Sequence, residues 1–519
     1  MSSTSGAPEL SSYALLPNHS TKRLLLGLTL GLVISALACG SNGGSFVPVK
    51  GPFSTASLSG SYTYVLQGID TSGNPFTEGG VFTADGNGKI TSGTDDFNQN
   101  GQFGSNPITG KYQIIPDGSG TITFTLTNVP APNNIFQLAV NLVNTSQLYV
   151  AENDAFANAS GVADKQNAAA IATTPNGSFA FRVHAFGTPN GAVGTVGQLV
   201  STAGTVSGIA DILRNGTMDA VNLSGTFQAP DSTGRGQLTY QDDVAKSNVN
   251  YEYYIINSST IQLLGSDPNV LSLGRAELQN GGPFTASSLS GSYAFGSVGN
   301  LTANDGGLSR TVGTFTAGGG SISAGVYDAV VNGNVISNNS LQSPGAGSYA
   351  VGGSGETLLT LNPSGGVPVQ EVLWLVSPSR AFVLVDDPAK VEDGTVDLQS
   401  SSSFANSNLS GQYGLIMEGI TTSNDLTRVG TFIPDGNGNL TLNELVNAFT
   451  VSTGATFNAP SLTGTYSVGS NGRVTATIVP SSSPNLDLVL YMVSPGKAYI
   501  LQGDTGFEVS GSVALQSSP

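Results

Sequence analysis

Apolar and polar residues alternate with a period of two along much of this chain. Ile122, Phe124 and Leu126 alternate with threonines over positions 121–126, and the same alternation returns at 474–478. Successive side chains of a β-strand point to opposite faces, whereas a helix repeats every 3.6 residues. The pattern therefore predicts half-buried strands in antiparallel pairs.

The chain contains four copies of one unit. Each copy opens with a glycine followed two residues later by an aromatic residue, and the opening glycines are spaced 117, 114 and 120 residues apart. They are Gly60, Gly177, Gly291 and Gly411. Each copy closes on a glutamine, and these are Gln166, Gln279, Gln399 and Gln516. Self-similarity at a fixed period indicates tandem repeats, and we predict four domains.

Turn residues divide the first copy into about eight apolar runs. The predicted strands lie near 60–68, 78–84, 88–97, 108–115, 120–128, 135–143, 147–153 and 159–165. Eight consecutive hairpin-linked strands can close into a small up-and-down barrel, which removes exposed strand edges. A two-sheet β-sandwich is the alternative. The predicted fold class is all-β, with four tandem antiparallel β domains.

The repeat landmarks also predict domain boundaries. They are 1–38 for a signal peptide, 39–52 for an anchor linker, 53–168 for repeat one, 169–280 for repeat two, 281–400 for repeat three and 401–519 for repeat four.

An export signal is the clearest feature of the N-terminal region. Lys22 and Arg23 precede an apolar run at 24–38, which is too short for a comfortable membrane-spanning helix. The run ends at Cys39, the only cysteine of the chain, so no internal disulfide can form. An ordinary secretory signal with a chance cysteine is one reading of this pattern.

The segment 36–39, Ala-Leu-Ala-Cys, resembles the lipobox of bacterial lipoproteins. The resemblance implies cleavage before Cys39 and acylation of this residue, which anchors the protein in a membrane through several acyl chains. Gly40 and Ser41, and no aspartate, directly follow the cysteine. This implies sorting to the outer membrane or cell surface.

Composition supports short strands and excludes one class of partner. The chain has 69 glycines, 25 prolines, 10% charged residues and 39% hydrophobic residues, which suits strands and turns around a core. Loss of residues 1–38 leaves 15 of the 17 basic and 33 of the 34 acidic residues, a formal net charge of −18. A phosphate backbone is repelled by such a protein, so we expect no nucleic-acid partner.

Two glycine turns are weak candidates for a metal site. Asp85 and Asn87 lie in the first, and Asp435 and Asn437 in the second. Neither turn has the glycine that a helix-loop-helix calcium loop needs at its sixth position. The corresponding turns of copies two and three contain no acid, so we interpret all four as hairpin turns and predict no cofactor.

Few residues could perform catalysis. His184 is the only histidine beyond the signal, and it alternates with inward-facing neighbours, so it should face outward. The adjacent acid pairs at 95–96, 242–243 and 386–387 should point to opposite faces, and most of these acids are expected to be solvated turn residues. The acids that end an equivalent strand in all four copies are the first candidates for a ligand-binding or structural role. They are Asp154, Asp267, Asp387 and Asp504.

The repeated glycine-aromatic openings and the lipobox resemble those of uncharacterised tandem-repeat, glycine-rich β lipoproteins of bacteria, a family with no known active site. The resemblance covers about residues 53–519. It implies a lipid-anchored, non-enzymatic envelope protein that acts in binding, adhesion or structure, with an unknown extracellular or periplasmic ligand. Two alternatives are binding of a small molecule or glycan inside the barrels and a carboxylate-dependent glycan hydrolase.

Overall fold

A computed structural model describes most of the chain beyond residue 50. The described residues are 51–131, 134–186, 191–214, 216–268, 270–302, 307–422, 424–450, 454–458, 460–480 and 484–517. The signal peptide and Cys39 lie outside them, and the predicted domain boundaries stay a prediction.

Strands account for nearly all of the regular structure. Repeat one contains β1 (Ser59–Asp70), β2 (Pro75–Asp85), β3 (Lys89–Gln99), β4 (Gln102–Ile114), β5 (Ser119–Leu126), β6 (Ile135–Asn144), β7 (Gln147–Glu152) and β8 (Ala157–Lys165). Repeat two contains β9 (Gly177–Phe186), β10 (Val193–Thr202), β11 (Thr205–Arg214), β12 (Thr217–Phe227), β13 (Arg235–Asp242), β14 (Asn248–Asn257), β15 (Thr260–Gly265) and β16 (Leu271–Leu278).

The second half of the chain repeats this order with one interruption. Repeat three contains β17 (Gly291–Leu301), β18 (Leu308–Gly318), β19 (Ser321–Val331), β20 (Asn334–Ser340), β21 (Gly347–Val351), β22 (Glu356–Leu361), β23 (Val369–Ser377), β24 (Arg380–Asp387) and β25 (Lys390–Leu398). Repeat four contains β26 (Tyr413–Thr421), β27 (Asp425–Pro434), β28 (Asn439–Thr450), β29 (Gly454–Asn458), β30 (Ser461–Val468), β31 (Arg473–Ile478), β32 (Leu486–Ser494), β33 (Lys497–Gln502) and β34 (Phe507–Leu515). One-turn 3₁₀ helices precede the first strands of three repeats, at Thr55–Ser57, Ala286–Ser288 and Asn406–Asn408.

Each repeat closes into an eight-stranded antiparallel barrel. In repeat one every strand pairs with its neighbours in the chain, and β1 also pairs with β8. Repeat two closes in the same way. In repeats three and four the fourth strand is broken in two, and β20 and β29 are ninth strands beside a closed ring of eight. The predicted up-and-down barrel is confirmed, and the sandwich alternative is wrong.

The strands of repeat one lie close to their predicted positions, except that β4 begins at Gln102 instead of near 108. Residues 102–106 pair with β3 alone, so β3 and β4 extend beyond the barrel as a two-stranded ribbon. Residues 102–106 carry one apolar side chain, Phe103, so they show no alternation, and they pair with β3 through the backbone. Hydrophobic periodicity therefore gives no signal for this extension.

Packed side chains fill the barrels. In repeat one, the rings of Tyr64 and Phe124 stack with centroids 5.6 Å apart, and Phe124 lies 4.9 Å from Phe136. Every repeat has one such buried cluster. Interiors of small eight-stranded barrels are just wide enough for side chains. These filled cores argue against the alternative of a ligand inside the barrels.

Four further apolar clusters join one barrel to the next. We call the outward side of a repeat's first three strands its head face and the outward side of its last three strands its tail face. The head face of each repeat packs on the tail face of the following repeat. The head face of repeat four packs in the same way on the tail face of repeat one. The four barrels therefore form a closed ring of head-to-tail contacts.

None of the helices in the described part of the chain is long and apolar enough to span a membrane.

Candidate functional site

The four acids shared by the repeats lie in separate barrels and bind nearby polar groups. Asp154 accepts hydrogen bonds from the backbone N–H groups of Gln137 (3.0 Å) and Phe156 (2.9 Å). Asp387 accepts one from the N–H of Ala389 at 2.8 Å. These contacts satisfy donors at strand ends, the role that short acidic side chains often have in turns.

The other two shared acids bind the beginning of the sixth strand, as Asp154 does. Asp267 accepts from the backbone and the side chain of Asn250, at 2.8 and 2.6 Å. Asp504 accepts from the N–H of Asp487 at 3.2 Å and from Gln502 at 3.0 Å. Burial raises the pKa of Asp504. The structure does not bring the four acids together, and each stays a candidate within its own repeat.

The two acidic glycine turns use their own backbone as the partner of the carboxylate. Asp85 Oδ1 accepts from the N–H groups of Asn87 (2.7 Å) and Lys89 (3.0 Å). These hydrogen bonds, from Lys89 and then Asn87, lower the pKa of Asp85. The geometry is that of a hairpin turn in which Gly86 and Gly88 have positive φ.

The turn in repeat four has the same geometry. Asp435 Oδ1 accepts from the N–H groups of Asn437 (2.7 Å) and Asn439 (3.0 Å), and Oδ2 accepts from the Asn439 side chain at 2.8 Å. These contacts lower the pKa of Asp435 to about 2. Within the described ranges, no group of three or more acidic, histidine or cysteine side chains could hold a metal ion.

A buried acid lies at one position of the head face in three repeats. These acids are Asp96, Asp211 and Asp328. Each lies on the third strand of its repeat and pairs with the second-strand residue that directly precedes an equivalent glycine. The following repeat supplies a ring N–H or hydroxyl from one position of its sixth strand. The donors are Tyr254, Trp374 and Tyr491. Three interfaces of the ring thus share one polar contact.

Arginine completes this contact in two of the interfaces. Arg473 donates from Nε and Nη2 to Asp328, both at 2.7 Å, and Tyr491 donates at 2.6 Å. Arg235 binds Asp96 in the same two-pronged way, at 2.7 and 2.9 Å. Burial raises the pKa of Asp328, but the hydrogen bonds from Arg473 and Tyr491 outweigh it and hold that pKa below the usual value.

The interface between repeats two and three has no arginine at this place. Trp374 Nε1 donates to Asp211 at 2.8 Å, while Glu356 occupies the position that Arg473 has in repeat four. Burial raises the pKa of Asp211 to about 6, with the charges of Glu356 and Asp386 adding to the rise and the Trp374 hydrogen bond opposing it. Asp211 is therefore a buried carboxylate without a cation.

A second set of acids, on the last strands of repeats one, two and three, also crosses the interfaces. Arg380 of repeat three binds Glu277 of repeat two from Nε at 2.7 Å and from Nη2 at 3.0 Å. Asp397 accepts from Lys497 at 2.6 Å and from the Tyr499 hydroxyl at 2.5 Å. These contacts show why so many acids of this chain are buried: they join the barrels.

The closing glutamine of every repeat makes the same contact with the next barrel. The Gln399 amide donates to the carbonyl oxygens of Asn471 (3.0 Å) and Met492 (2.8 Å). Equivalent donations come from Gln166 and Gln279. Gln516 donates to the carbonyls of repeat one, at 2.8 Å to Asp117 and 2.6 Å to Leu142, so the ring closes with the contact that links consecutive repeats.

His184 faces outward from its barrel, as predicted, but into the interface with repeat three. Its Nδ1 lies 2.5 Å from Asp393 Oδ2 and its Nε2 lies 3.1 Å from Asn300 Oδ1. Arg182 also binds Asp393, at 2.8 Å.

The position of His184 is occupied in repeats one and four by Gln67 and Glu418, which contact each other at 3.1 Å. Because equivalent residues of head-to-tail units meet only near the symmetry axis, this cluster lies at the centre of the ring.

Sequence reasoning placed one group of acids wrongly. Asp95 and Asp96 do point to opposite faces, because Asp95 accepts from Tyr64 of its own barrel and Asp96 from repeat two. Both are buried, as is Asp242, so the expectation of solvated acids is wrong for three of the six. Their partners are distant in sequence, and only the recurrence of an acid at one strand position in three copies could have indicated a shared role.

The fold and these contacts define a class of protein: a ring of four tandem β-barrels. The comparisons with protein-family models and with curated proteins found no match to this chain. Among solved structures, the intact transferrin binding protein named Ap-TbpB (N and C lobes) is 8% identical and has a TM-score of 0.20, with 91% of this chain and 96% of that chain covered.

Two related structures are similar to the same low degree. Isotype 1 transferrin binding protein B from serogroup B Neisseria meningitidis is 8% identical with a TM-score of 0.16, and 71% of this chain and 83% of that chain are covered. The Haemophilus parasuis Hp5 protein is 8% identical with a TM-score of 0.16, and 77% and 86% are covered. Similarity at this level carries no argument about function.

Proposed function

We propose that this chain is a lipid-anchored, non-enzymatic protein of the bacterial cell envelope whose ring of barrels binds or displays a partner outside the membrane. The observation that carries the proposal is the use of the buried acids. Asp96, Asp328 and Asp397, groups that could otherwise serve as acids or bases, bind basic or hydroxyl groups of a neighbouring barrel. The outer surface of the ring consists of strands and polar turns, and this surface is the one available to a partner.

The proposed anchor places the ring near its membrane. Cys39 lies 12 residues before Gly51, and the N–H of Phe53 donates to the carbonyl of Pro116 at 3.2 Å. An extended segment of this length spans at most about 40 Å. The end of repeat one that carries Pro116 would therefore face the membrane, and the outer membrane or cell surface is the proposed location.

Metabolic labelling with palmitate tests the anchor. We expect the full chain to incorporate label and to fractionate with membranes. Cys39→Ala should abolish both, while Ser41→Ala should retain both because it leaves the acylated sulfur in place. An unlabelled wild-type chain would contradict the anchor and leave the ring structure unaffected.

Assays for turnover test the non-enzymatic assignment. Purified protein should not hydrolyse envelope glycans, the substrate class of the carboxylate-dependent alternative. Reproducible hydrolysis that is lost when Asp154, Asp267, Asp387 or Asp504 is replaced by asparagine would overturn the proposal. Unchanged hydrolysis in all four variants would indicate a contaminating enzyme.

Binding is tested by the same preparation. We expect an immobilised ring to retain a macromolecular partner from envelope extracts and no nucleic acid. A small sugar or lipid that raises the melting temperature of the ring would instead support the alternative of binding inside the barrels.

A further inference from the structure

The contact between repeats four and one is the only head-to-tail contact of the ring that no linker crosses. We call it the seam. Its apolar cluster contains Val143 and Tyr149 of repeat one together with Ile416 and Val429 of repeat four. The corresponding clusters of the other interfaces join repeats that follow one another in the chain.

The seam also lacks the charged contacts of the other interfaces. Leu445 stands where the other head faces have Asp96, Asp211 or Asp328, and Asn141 stands where the tail faces have Tyr254, Trp374 or Tyr491. Ala514 replaces the acid of the last strand. Every interface between consecutive repeats contains at least one ion pair, and none of the ion pairs among the described residues crosses the seam.

Hydrogen bonds without a basic side chain hold the seam in place of ion pairs. The Tyr149 and Ser512 hydroxyls lie 3.1 Å apart, and Ser160 donates to Glu418 at 2.5 Å. Asn447 Nδ2 donates to the carbonyls of Glu152 (3.1 Å) and Ala157 (3.2 Å). Hydrogen bonds of this kind are individually weaker than a buried two-pronged arginine contact.

We propose that the seam opens and that its two faces then bind a second copy of this chain. When the seam opens, the head face of repeat four and the tail face of repeat one are exposed together. They are complementary, because they bind each other in the closed ring. Head-to-tail contacts either close into a ring or continue from one molecule to the next. The head face of repeat four in one open chain therefore fits the tail face of repeat one in another.

The seam contact forms within one chain in the closed ring and between two chains in the pair, so protein concentration shifts the balance between them. Within one chain the two seam faces are held at a high effective concentration, which favours closure in dilute solution. Crowding of chains, in a concentrated sample or on a membrane, favours the pair. This inference does not depend on the proposed function.

Single cysteines on opposite faces of the seam distinguish the two forms. A Cβ built on Gly414 lies 2.8 Å from Oδ1 of Asn141 and 3.2 Å from Cγ2 of Val143, so a side chain at position 414 meets position 143 across the seam. All test chains carry Cys39→Ser, so the introduced thiols are the only ones present. One preparation carries Gly414→Cys, another carries Val143→Cys, and the two are mixed, concentrated and oxidised gently.

The interface between repeats three and four offers a matched control. Ala294 and Val493 are the equivalents of Gly414 and Val143, and they lie in one apolar cluster. Ala294→Cys and Val493→Cys chains are mixed in the same way. Because a linker and ion pairs hold this interface, we expect the seam mixture to yield at least about tenfold more disulfide-linked dimer than the control mixture.

The result is read on a non-reducing gel and by light scattering. Dimer that forms only when both seam variants are mixed supports the proposal. Absence of dimer overturns it, provided that one chain carrying both Gly414→Cys and Val143→Cys forms its internal disulfide. Equal dimer in the seam and control mixtures also overturns it, because opening would then not be specific to the seam.

A second measurement keeps the test decisive if the internal disulfide does not form. The Cys39→Ser chain is followed by light scattering as its concentration is raised. A species with twice the mass of one chain should appear reversibly with concentration. A chain that remains monomeric at every concentration overturns the proposal.

Discussion

The interfaces between repeats two and three and between repeats three and four place an aspartate at the same point and surround it differently. Asp328 receives two hydrogen bonds from Arg473, and its pKa is lowered. Asp211 receives one from Trp374, has Glu356 in the place of the arginine, and has a raised pKa. The repeated fold thus fixes where the acid lies, while the neighbouring side chains decide whether its charge stabilises the ring.

The largest expected loss of stability comes from removing Arg473, the residue that distinguishes these two interfaces. Arg473→Ala leaves Asp328 buried and without its cation, and breaking a buried ion pair in this way costs about 3–5 kcal/mol. We expect the denaturation midpoint of the chain to fall accordingly, as measured by circular dichroism. Lys111→Ala, at an exposed position of repeat one, is the control and should change the midpoint little. An equal loss in both variants would contradict the role of the pair.

Removing the charge of the two acids should give effects of opposite sign. Asp211→Asn keeps an acceptor for Trp374 but removes a charge that lacks a cation, so at pH 8 it should stabilise the ring by about 1–3 kcal/mol. Asp328→Asn should destabilise it, because Arg473 loses its partner. Trp374 is the only tryptophan of the chain, so its fluorescence during denaturation reports on the first of these interfaces. Destabilisation by both variants would refute the difference between the interfaces.

The pH dependence sharpens the same contrast. The folded-state pKa of Asp211 is raised to about 6, so its ionisation opposes folding, and stability should rise as the pH falls from about 7 toward 5. The folded-state pKa of Asp328 is lowered, so its contribution is present above its unfolded value of about 3.9 and is lost as the pH falls below it. Stability measured across this range should have a maximum between the two limits.

Variants separate these contributions from others. Burial also raises the pKa of Asp425 to about 6, and burial together with the charge of Glu392 raises that of Glu371 to about 7. Both groups therefore contribute to the loss of stability at the high-pH end of this range. The difference between the wild type and Asp211→Asn isolates Asp211. An identical pH profile for this variant and the wild type would show that Asp211 does not titrate in that range.

The smallest expected effect on stability comes from removing the closing glutamine. This residue makes the same contact at an interface with ion pairs and at the seam. Gln399→Ala and Gln516→Ala each remove two hydrogen bonds to carbonyl oxygens of the next barrel. We expect each to cost about 1–2 kcal/mol at its interface. Hydrogen exchange on either side of each interface measures this locally, and exchange that changes at only one of them would show that the two contacts are not equivalent.

The barrels follow from the sequence more completely than the ring does. Period-two patterns, glycine turns and the fourfold repeat depend on neighbouring residues, so they predict strands and domains. The contacts between barrels join residues that are far apart in the chain. One local signal was nevertheless present: the run at 372–376 is apolar at every position, which indicates a strand buried on both sides. In this run Leu373 and Leu375 lie in the core of their own barrel, whereas Trp374 faces the neighbouring barrel.

The candidate site was predictable only in part. The shared acid at 154 and its equivalents were found because they recur in all four copies, and their turn contacts agree with ordinary aspartate chemistry. Asp96, one of the acids that join the barrels, was grouped with acids expected to be solvated, because sequence alone does not show that a second barrel covers it. The closing glutamines were used only as markers of the repeat. Their recurrence in all four copies could have indicated that each of them makes the same contact, including the one that closes the ring.

The head-to-tail geometry of the ring bears on how such a chain can arise. A single repeat that carried both faces would assemble with three copies of itself into a cyclic tetramer with identical interfaces. Successive gene duplication and fusion would place the four subunits in one polypeptide and release each interface from the requirement to be identical. Asp211 beside Glu356, which four identical subunits would have to accept four times, is then tolerated once.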